Sequence, residues 1–429
     1  MLDIRRIREN PEQVRAALLK RLDDLSFGDL FNWDSRRRQI IQEVDSLRNE
    51  RNVVSAKIPQ MKKEGMDIET VKAEMTKVGD RIALLDAELR DVEDKIEDFM
   101  SRLPNIPDDD VPAGGKENNV ILDVFDKKPE FDFVPKNHID LCRSLNLIDY
   151  DRGVKLSGAG HWVYKGVGAR LEWALLNFFV REHLADGYEF LLVPLALNYN
   201  CGYVAGQFPK FVDDDYWIDG GPGKNRKFLL STAETALVNY HCDETFSEDE
   251  LPKKYFSYTP CFRREAGSTR VEERGMIRGH QFNKVEMVQY AHPNHSSEAF
   301  QELVAKAQRL VQKLGLHYQL TKLAAKDCSS AMARTYDIEI WIPSMGIYKE
   351  VSSASNGYDY QSRRGNVKYK DSSGKINFVH TLNASGLATS RVIPAIVEQC
   401  QQADGSVVVP EVLRNDVGVD IIYPNRKQL

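Results

Sequence analysis

Four residues near the middle of the chain have the types and spacing of a nucleotide-binding face. Arg263 and Glu265 lie two positions apart and Phe282 and Glu286 lie four apart, so each pair would share one face of a strand. A guanidinium, an aromatic ring and a carboxylate on such a face suit a phosphate, a base and an ammonium group respectively. A charged hairpin with an ordinary aromatic cross-strand pair shows the same pattern, so the spacing alone leaves both interpretations open.

Two other short stretches carry side-chain oxygens. Thr232 and Glu234 follow an apolar segment and could accept hydrogen bonds from an ammonium group, although T-x-E is more often a helix cap. Glu350 and Ser352 have the same strand parity and could offer hard oxygens to Mg²⁺ on a phosphate. A polar strand end is the commoner explanation of that second pattern.

A fourth stretch, residues 381–391, is rich in small residues and is predicted to open the last long helix. Backbone N–H groups at such a helix start can bind an anion or a carboxylate, and Arg391 adds a fixed positive charge. A well-capped helix with a surface arginine is the plain alternative. The sequence has neither a G-x-x-x-x-G-K-[ST] loop nor a G-x-G-x-x-G turn, which excludes the usual glycine-rich nucleotide cradles.

The overall composition restricts the class of protein. The 429 residues, of which 42% are hydrophobic and 28% charged, suffice for two or three domains. No apolar run approaches the ~20 residues of a membrane helix, so we expect no membrane association. Six scattered cysteines without a C-x-x-C pair predict a reducing, cytoplasmic compartment and no structural zinc. Because the net charge is −6, a polyanion must bind a local basic patch.

The N-terminal third has the heptad pattern of a coiled coil. Its first apolar series consists of Ile40, Val44, Leu47, Val54, Ile58 and Met61. Its second series consists of Val71, Met75, Val78, Ile82, Leu85, Leu89, Val92, Ile96 and Phe99. Between the two series, Gly65 can end one helix and Asp67 can cap the next. The pattern predicts a long antiparallel hairpin, preceded by a short amphipathic lead-in.

The two helices of this hairpin differ in charge. Residues 34–64 contain eight Lys or Arg against five Asp or Glu, whereas residues 67–98 contain five against eleven. If the hairpin contacts RNA, the first helix should face it. The candidate contacts are Arg36, Arg37, Arg38, Arg48, Arg51, Lys57, Lys62 and Lys63. A dimerisation or spacer element with solvated faces is the alternative and, on this pattern alone, the commoner one.

The chain divides into three predicted segments: a helical arm at 1–103, a linker rich in proline, glycine and acidic residues at 104–118, and a body at 119–429. The body shows strands in close succession with few crossover helices. This order favours an α+β fold whose antiparallel sheet is flanked by helices.

Taken together, the motifs resemble those of seryl-tRNA synthetases, which are class II aminoacyl-tRNA synthetases, and the resemblance covers essentially the whole chain. The strings that carry it are T-A-E at 232–234, F-R-R-E-A-G at 262–267, H-Q-F-N-K-V-E at 280–286, E-V-S-S-x-S-N at 350–356 and V-P-E-V-L-R at 409–414. The resemblance implies that ATP and L-serine form seryl-adenylate, and that the seryl group passes to the 3′ end of tRNA(Ser) and also of tRNA(Sec).

The resemblance also implies residue roles. Arg263, Arg391 and Glu350 match the family's catalytic positions, and Glu350 with Ser353 matches its Mg²⁺ contacts. The positions implied for ATP are Arg263, Arg264, Glu265, Gly279, His280, Gln281, Phe282, Glu350, Val351, Ser352, Ser353 and Arg391. The positions implied for serine are Thr232, Ala233, Glu234, Arg263, Glu286, Asn383 and Ser385. The hairpin matches the family's tRNA-binding arm, and residues 168–194 match the segment that builds its homodimer.

The sequence departs from the family pattern next to Arg391. Where the family usually reads G-[LV]-A-V-G-R, this chain has Thr389 and Ser390 before the arginine, and Ser390 adds a Cβ there. Three alternatives to an ordinary synthetase follow. One is a second copy serving a resistance or biosynthetic pathway, another is an enzyme with an acceptor other than tRNA, and the third is an inactive RNA-binding homologue.

Overall fold

The computed structural model describes residues 1–65, 67–218, 220–265 and 275–424. Contacts between residues divide the chain into two compact units. The N-terminal unit consists of Leu2–Leu103, and the C-terminal unit consists of Pro104 onward together with Met1.

The N-terminal unit is an antiparallel helical hairpin, as the heptad pattern predicts. Its helices are α1 (Ile4–Glu9), α2 (Pro11–Leu18), α3 (Gly28–Lys63) and α4 (Glu69–Arg102). Trp33 of α3 and Phe99 of α4 meet edge to face, with ring centroids 6.2 Å apart. Gly65 has a φ of +72°, and the Asp67 carboxylate accepts a hydrogen bond from the backbone N–H of Glu69 at 2.9 Å. The turn therefore uses the two residues that the sequence indicates.

The C-terminal unit is built on a sheet of eight described strands. In chain order they are β1 (Val120–Phe125), β2 (Glu189–Phe190), β3 (Lys253–Phe262), β4 (Gln281–Ala291), β5 (Tyr318–Lys322), β6 (Arg334–Ile342), β7 (Ile347–Tyr358) and β8 (His380–Ala388). Their order across the sheet is β1-β5-β6-β7-β8-β4-β3-β2. Every neighbouring pair is antiparallel except β2 with β3. The predicted antiparallel α+β architecture is confirmed.

Helices and short strands complete this unit. The helices are α5 (His138–Ser144), α6 (Tyr150–Ser157), α7 (Val167–Ala185), α8 (Tyr199–Ala205), α9 (Glu234–Leu237), α10 (Ser296–Lys313), α11 (Tyr360–Gly365), α12 (Thr389–Gln399) and α13 (Arg414–Val417). The 3₁₀ turns are Lys116–Asn118, Glu248–Glu250, Pro293–His295, Pro343–Met345 and Glu411–Leu413. The short strands are Ile148–Asp149, Val163–Tyr164, Ala196–Asn198, Tyr216–Trp217, Lys227–Leu229, Thr245–Ser247, Lys368–Lys370, Ile376–Phe378, Val407–Val408 and Ile421–Ile422. Among the described helices, none is long and apolar enough to cross a membrane.

The two faces of β4 have different neighbours. Val285 and Met287 join the large apolar core that contains α7, α10 and α12. Val288 and Tyr290 join a separate cluster with residues of α8 and α9. Because side chains alternate along a strand, Glu286 shares its face with the second pair and points away from the large core.

Three local predictions from the sequence differ from the structure. Residues 381–388 belong to strand β8 and do not open a helix, because their backbone pairs with β4 on one side and β7 on the other. The apolar run Phe190-Leu191-Leu192-Val193, whose composition predicts a strand, is a strand only at its start, because β2 ends at Phe190. The segment 104–118 packs within the C-terminal unit, where the buried Asn105 amide donates to the carbonyls of Ala331 and Gly357.

Candidate active site

A small polar pocket surrounds the carboxylate of Glu286, which is only 1% exposed. The carboxylate accepts hydrogen bonds from Thr232 Oγ1 at 3.3 Å, Asn383 Nδ2 at 3.2 Å and Ser385 Oγ at 3.2 Å. It also pairs with Lys284 Nζ at 2.6 Å. Strand β8 supplies Asn383 and Ser385 two positions apart, so both can face β4. The structure therefore brings together four residues that the sequence assigns to serine.

A second carboxyl group, that of Glu234, borders this pocket at the start of α9. Its Oε1 accepts a hydrogen bond from Gln361 Nε2 at 2.8 Å. Burial, together with the negative charge of Glu286, raises the pKa of Glu234 to about 7, against the opposing influence of Gln361, Lys284 and Arg263. The pocket thus has one firmly paired carboxylate and one that titrates near neutral pH.

The stretch 231–234 is a turn, so Thr232 and Glu234 are not related by the alternation of side chains along a strand. The preceding strand ends at Leu229, and Thr232 Oγ1 lies 3.4 Å from the backbone nitrogen of Glu234, as a helix cap would. Ala233 is fully buried in the cluster with α8 and α9. Thr232 therefore lies in the turn before α9, whose N-cap residue is Ala233, and its hydroxyl reaches Glu286.

Arg263 and Phe282 form the centre of the predicted nucleotide face. The guanidinium carbon of Arg263 lies 5.2 Å from the centroid of the Phe282 ring. The backbone N–H of Arg263 donates to the carbonyl of His280 at 2.9 Å, and His280 Nδ1 lies 3.0 Å from the carbonyl of Arg263. These paired contacts fix the end of β3 against the start of β4. The ring on β4 and the guanidinium just after the end of β3 therefore lie side by side.

Arg264 and Glu265 do not continue this face. Strand β3 ends at Phe262, and Glu265 has a φ of +51°, so strand parity no longer relates it to Arg263. The Glu265 carboxylate pairs with Arg278. The exposed Arg264 donates from Nη1 to the carbonyl of Asp213 at 3.1 Å. The shared face predicted for Arg263 and Glu265 is wrong, and the last residues of that motif, 266 and 267, lie outside the described residues.

Gly279 occupies a position without room for a side chain. A Cβ there would lie 2.3 Å from the Trp162 ring. The next residue, His280, donates its backbone N–H to the carbonyl of Gly160 at 3.1 Å, and Gln281 is exposed at the start of β4. Glycine therefore allows the backbone to pass close to Trp162 just before the strand that carries Phe282.

Arg391 lies in the first turn of α12 and is bound by main-chain oxygens. Its Nη1 donates to the carbonyl of Glu350 at 2.7 Å, and its Nε donates to the carbonyl of Ile277 at 3.3 Å. The Glu350 carboxylate lies 3.5 Å from the same Nη1. Burial of Glu350 disfavours its charged form and would raise its pKa. The pKa of Glu350 is nevertheless lowered, because the positive charges of Arg391, Arg263 and Lys284 outweigh burial. Three cations therefore act on one carboxylate, which stays ionised.

An extra residue in β7 determines which side chains accompany Glu350. Opposite β6, Ile338 pairs with Ser352 and Glu339 pairs with Glu350, so Val351 is a bulge. Val351 packs in the large core, and the buried Ser352 donates to the carbonyl of Ser385 at 2.6 Å. The predicted shared parity of Glu350 and Ser352 is therefore wrong, because a bulge shifts the alternation by one residue.

Asp337 joins the oxygen-rich group formed by Glu350 and Ser353. It pairs with Ser353 across β6 and β7, and its Oδ1 has no hydrogen-bond partner among the described residues. Burial and the charge of Glu350 raise the pKa of Asp337. A buried carboxyl group with one unpartnered oxygen, beside an ionised carboxylate, suits a hard divalent cation. Within the described ranges, three or more His, Cys, Asp or Glu side chains nowhere cluster as metal ligands.

The sequence reasoning missed three residues of this site: Lys284, Gln361 and Asp337. A signal existed for Lys284, because it alternates with Phe282 and Glu286 along one face of β4. A signal also existed for Asp337, because it is a polar residue within a largely apolar strand. Gln361 carried no signal, since α11 reaches Glu234 only through the tertiary fold.

The architecture and the site define the chain as a class II aminoacyl-tRNA synthetase. Residues 216–400 match the family model described as the tRNA synthetase class II core domain (G, H, P, S and T). Residues 1–107 match the seryl-tRNA synthetase N-terminal domain.

Whole-chain comparisons identify the particular family. The chain is 56% identical to serine–tRNA ligase 2 of Clostridium acetobutylicum, over 98% of this chain and 100% of that protein. It is 45% identical to the serine–tRNA ligase of Petrotoga mobilis, with the same coverage. The crystal structure of Pyrococcus horikoshii seryl-tRNA synthetase complexed with ATP superposes with a TM-score of 0.91 at 32% identity, covering 99% of this chain and 100% of that one. The chain belongs to the seryl-tRNA synthetase family.

Proposed function

We propose that the protein activates L-serine with ATP and transfers the seryl group to the 3′ end of tRNA(Ser), and of tRNA(Sec) where that tRNA is present. The observation that carries this proposal is the Glu286 pocket, which lies on the same strand as Phe282 and beside Arg263. A carboxylate surrounded by hydroxyl and amide groups in a small pocket suits a small hydroxylated amino acid. The Pyrococcus structure with ATP supports ATP as the second substrate.

In this proposal four charged groups have a role. Glu234 binds the ammonium group of serine, and Glu286 with its neighbours binds the hydroxyl. The serine carboxylate oxygen then attacks the α-phosphorus, forming an acyl–phosphate bond while the bond to pyrophosphate breaks. Arg263 and Arg391 stabilise the charge that develops on the phosphates, and no general base is needed because the carboxylate is already ionised. In the second step a ribose hydroxyl of tRNA attacks the acyl carbon, and AMP leaves.

Mg²⁺ is expected to enter with ATP. The residues that would hold it are Glu350, Ser353 and Asp337. They supply an ionised carboxylate, a hydroxyl and a buried carboxyl group with one unpartnered oxygen, respectively. Such an ion neutralises phosphate charge.

We further propose that two copies associate through α7 and that the protein works in the cytoplasm. Trp173 and Leu184 of α7 are 56% and 51% exposed, which is unusual for large apolar side chains on one helix and suits a subunit contact. The six cysteines, all of them among the described residues, form no disulfide, as suits a reducing compartment. Sedimentation analysis of the wild type and of Trp173→Asp tests the association through α7: the wild type should be a dimer and the variant a monomer. A monomeric wild type would refute the proposed dimer.

The function is tested by ATP–pyrophosphate exchange with serine, threonine, alanine and cysteine, followed by charging of total tRNA. Serine-dependent exchange with charging is the expected result. Exchange without charging would indicate another acceptor, and the absence of both would indicate an RNA-binding homologue. Serine-specific charging combined with failure to support growth as the sole ligase would favour a specialised second copy.

The affinity for serine is expected to rise with pH. At pH 6 most Glu234 is protonated, because its pKa is about 7, and it cannot pair with the serine ammonium group. Between pH 6 and 8 proton competition falls, so the KM for serine should drop about tenfold. The exchange assay at several pH values measures this, with Glu234→Gln as the comparison. A KM that is flat in the wild type, or one that is equally steep in Glu234→Gln, would contradict the assignment.

The outer part of α3 is expected to supply the tRNA contacts. Four of the eight candidate cations already pair within the hairpin: Arg36 with Glu88, Arg37 and Arg38 with Asp34, and Arg48 with Asp86. The other four are exposed and form no ion pair with any described residue: Arg51, Lys57, Lys62 and Lys63. Cations without a protein partner are the ones that a phosphate backbone can bind at no internal cost.

Changing Lys57, Lys62 and Lys63 together to glutamate should lower kcat/KM for tRNA by about tenfold to a hundredfold and flatten its salt dependence. Serine-dependent exchange should not change, because the catalytic site is not involved. The same charge reversals at Lys72, Lys77 and Lys95 of α4 provide a matched control. Equal losses in the two triple variants would show that net charge, and not the outer part of α3, determines binding.

A further inference from the structure

We propose that Glu172 is a positioning residue for adenylate formation. Through Asn283 and Thr389 it fixes the two segments that carry Phe282 and Arg391. The inference rests on the proposed function, because Phe282 and Arg391 matter together only if both bind the same ATP. Glu172 lies outside the proposed substrate pocket, and its contact gives a physical role to Thr389, which departs from the family pattern.

The contacts of Glu172 join three separate elements. Glu172 lies on α7 and is 3% exposed. Its Oε1 accepts hydrogen bonds from Asn283 Nδ2 of β4 at 2.7 Å and from Thr389 Oγ1 of α12 at 2.6 Å. The Thr389 hydroxyl also lies 3.2 Å from the carbonyl of Asn283. One carboxylate oxygen therefore links α7, β4 and α12.

The linked residues are immediate neighbours of groups assigned to ATP. Asn283 follows Phe282 and points to the opposite face of β4, toward α7. Thr389 is the first residue of α12, two positions before Arg391. The ring and the guanidinium would bind the two ends of ATP, so the spacing of β4 and α12 determines whether both can engage. Glu172 fixes that spacing from beneath the sheet.

The hydroxyl of Thr389 explains why threonine suits this position. Valine, the usual family residue, has the same shape but no donor for the carboxylate. In this chain the short hydrogen bonds that Glu172 accepts, from Asn283 and Thr389, both end on Oε1. A buried carboxylate that loses a donor is costly, which makes the three residues interdependent.

The surroundings of the carboxylate are weakly polar. Burial raises the pKa of Glu172 to about 7, and the hydrogen bonds from Thr389, Asn283 and Tyr164 oppose that rise. Burial and the charge of Glu172 in turn raise the pKa of Tyr164. Hydrogen bonds are therefore the contacts that hold this carboxylate in place.

Kinetics of serine-dependent exchange test the proposal. In Glu172→Ala the KM for ATP should rise about tenfold and kcat should fall about tenfold to a hundredfold, because both ATP-binding segments lose their common anchor. The KM for serine should stay within about twofold, since the Glu286 pocket is untouched. Thr389→Val should show the same pattern at about threefold to tenfold, and Thr389→Ser should restore activity because it keeps the hydroxyl.

Two comparisons separate positioning from a general structural role. A variant that only reduces the folded fraction lowers kcat and leaves both KM values unchanged, and thermal unfolding of each variant measures that fraction. If Glu172→Ala does not fold, the isosteric Thr389→Val carries the test alone. Glu182→Gln, which alters a surface ion pair of α7 with Lys313, is the matched control and should behave as the wild type.

The double variant of Glu172→Ala and Thr389→Val gives the sharpest outcome. Its loss should be no greater than that of Glu172→Ala alone, because the hydroxyl acts through the carboxylate. Additive losses, or an unchanged KM for ATP in both single variants, would overturn the proposal. A wild type without serine-dependent exchange would instead refute the proposed function, so the two failures are distinguishable.

Discussion

Replacing Arg263 by alanine is expected to lower serine-dependent pyrophosphate exchange by about a thousandfold or more. Arg263 lies against Phe282 and is close enough to Glu234 and Glu350 to influence the pKa of both carboxyl groups. It therefore lies at the junction of the serine pocket and the nucleotide face, while Lys284, the other cation that influences both carboxyl groups, is already paired with Glu286. In the proposed reaction the bond to phosphorus forms at that junction, where a missing positive charge costs most.

The neighbouring Arg264 provides the comparison for this variant. Because its exposed guanidinium donates to the carbonyl of Asp213, Arg264→Ala should lose less than about tenfold. Binding of tRNA to Arg263→Ala, measured by filter retention, should remain close to that of the wild type, since the arm is unaltered. A parallel loss of tRNA binding and exchange would show that Arg263 supports the fold and not the reaction.

The sequence predicts the regular parts of the molecule well because local periodicity determines them. Apolar residues at heptad spacing define α3 and α4, and a glycine and an aspartate define the turn between them. The succession of strands without crossover helices indicates the antiparallel sheet. These features depend on side-chain spacing within a single element, which the sequence displays directly.

Irregular backbone limits prediction of the site. The alternation of side chains along a strand correctly predicts that Lys284 and Glu286 share one face of β4. The same rule fails at Glu350, because the bulge at Val351 places Ser353, and not Ser352, on the face of Glu350. It also fails at Glu265, which follows the end of β3. Bulges and strand ends depend on pairing with other strands, and a single sequence does not show that pairing.

Contacts between distant elements are the second limit. Gln361 reaches Glu234, and Glu172 reaches Thr389, across more than a hundred residues. Neither pair has a fixed spacing that a motif could record. The small residues of 381–388 are equally compatible with a helix start and with a central strand. Their pairing with β4 and β7 determines that they form a strand.

Glu286→Gln is expected to remove recognition of the serine hydroxyl. Glutamine keeps the shape of the side chain, but it replaces one acceptor oxygen by a donor that faces Thr232, Ser385 and Lys284. The KM for serine should rise about a hundredfold, and the preference for serine over alanine in exchange should fall from about 10³ or more toward about 10. ATP binding should persist, because Arg263 and Phe282 are unchanged.

The ion pair between Lys284 and Glu286 requires a control for stability. Both side chains are almost completely buried, so removing one charge can destabilise the fold by about 3 kcal/mol or more. A double variant with Lys284→Met and Glu286→Gln removes both charges and should regain stability without regaining preference for serine. The preference is a ratio measured on the same folded molecules, so partial unfolding does not change it. If the ratio stays at the wild-type value in Glu286→Gln, the hydroxyl is recognised elsewhere and Glu286 serves only to neutralise Lys284.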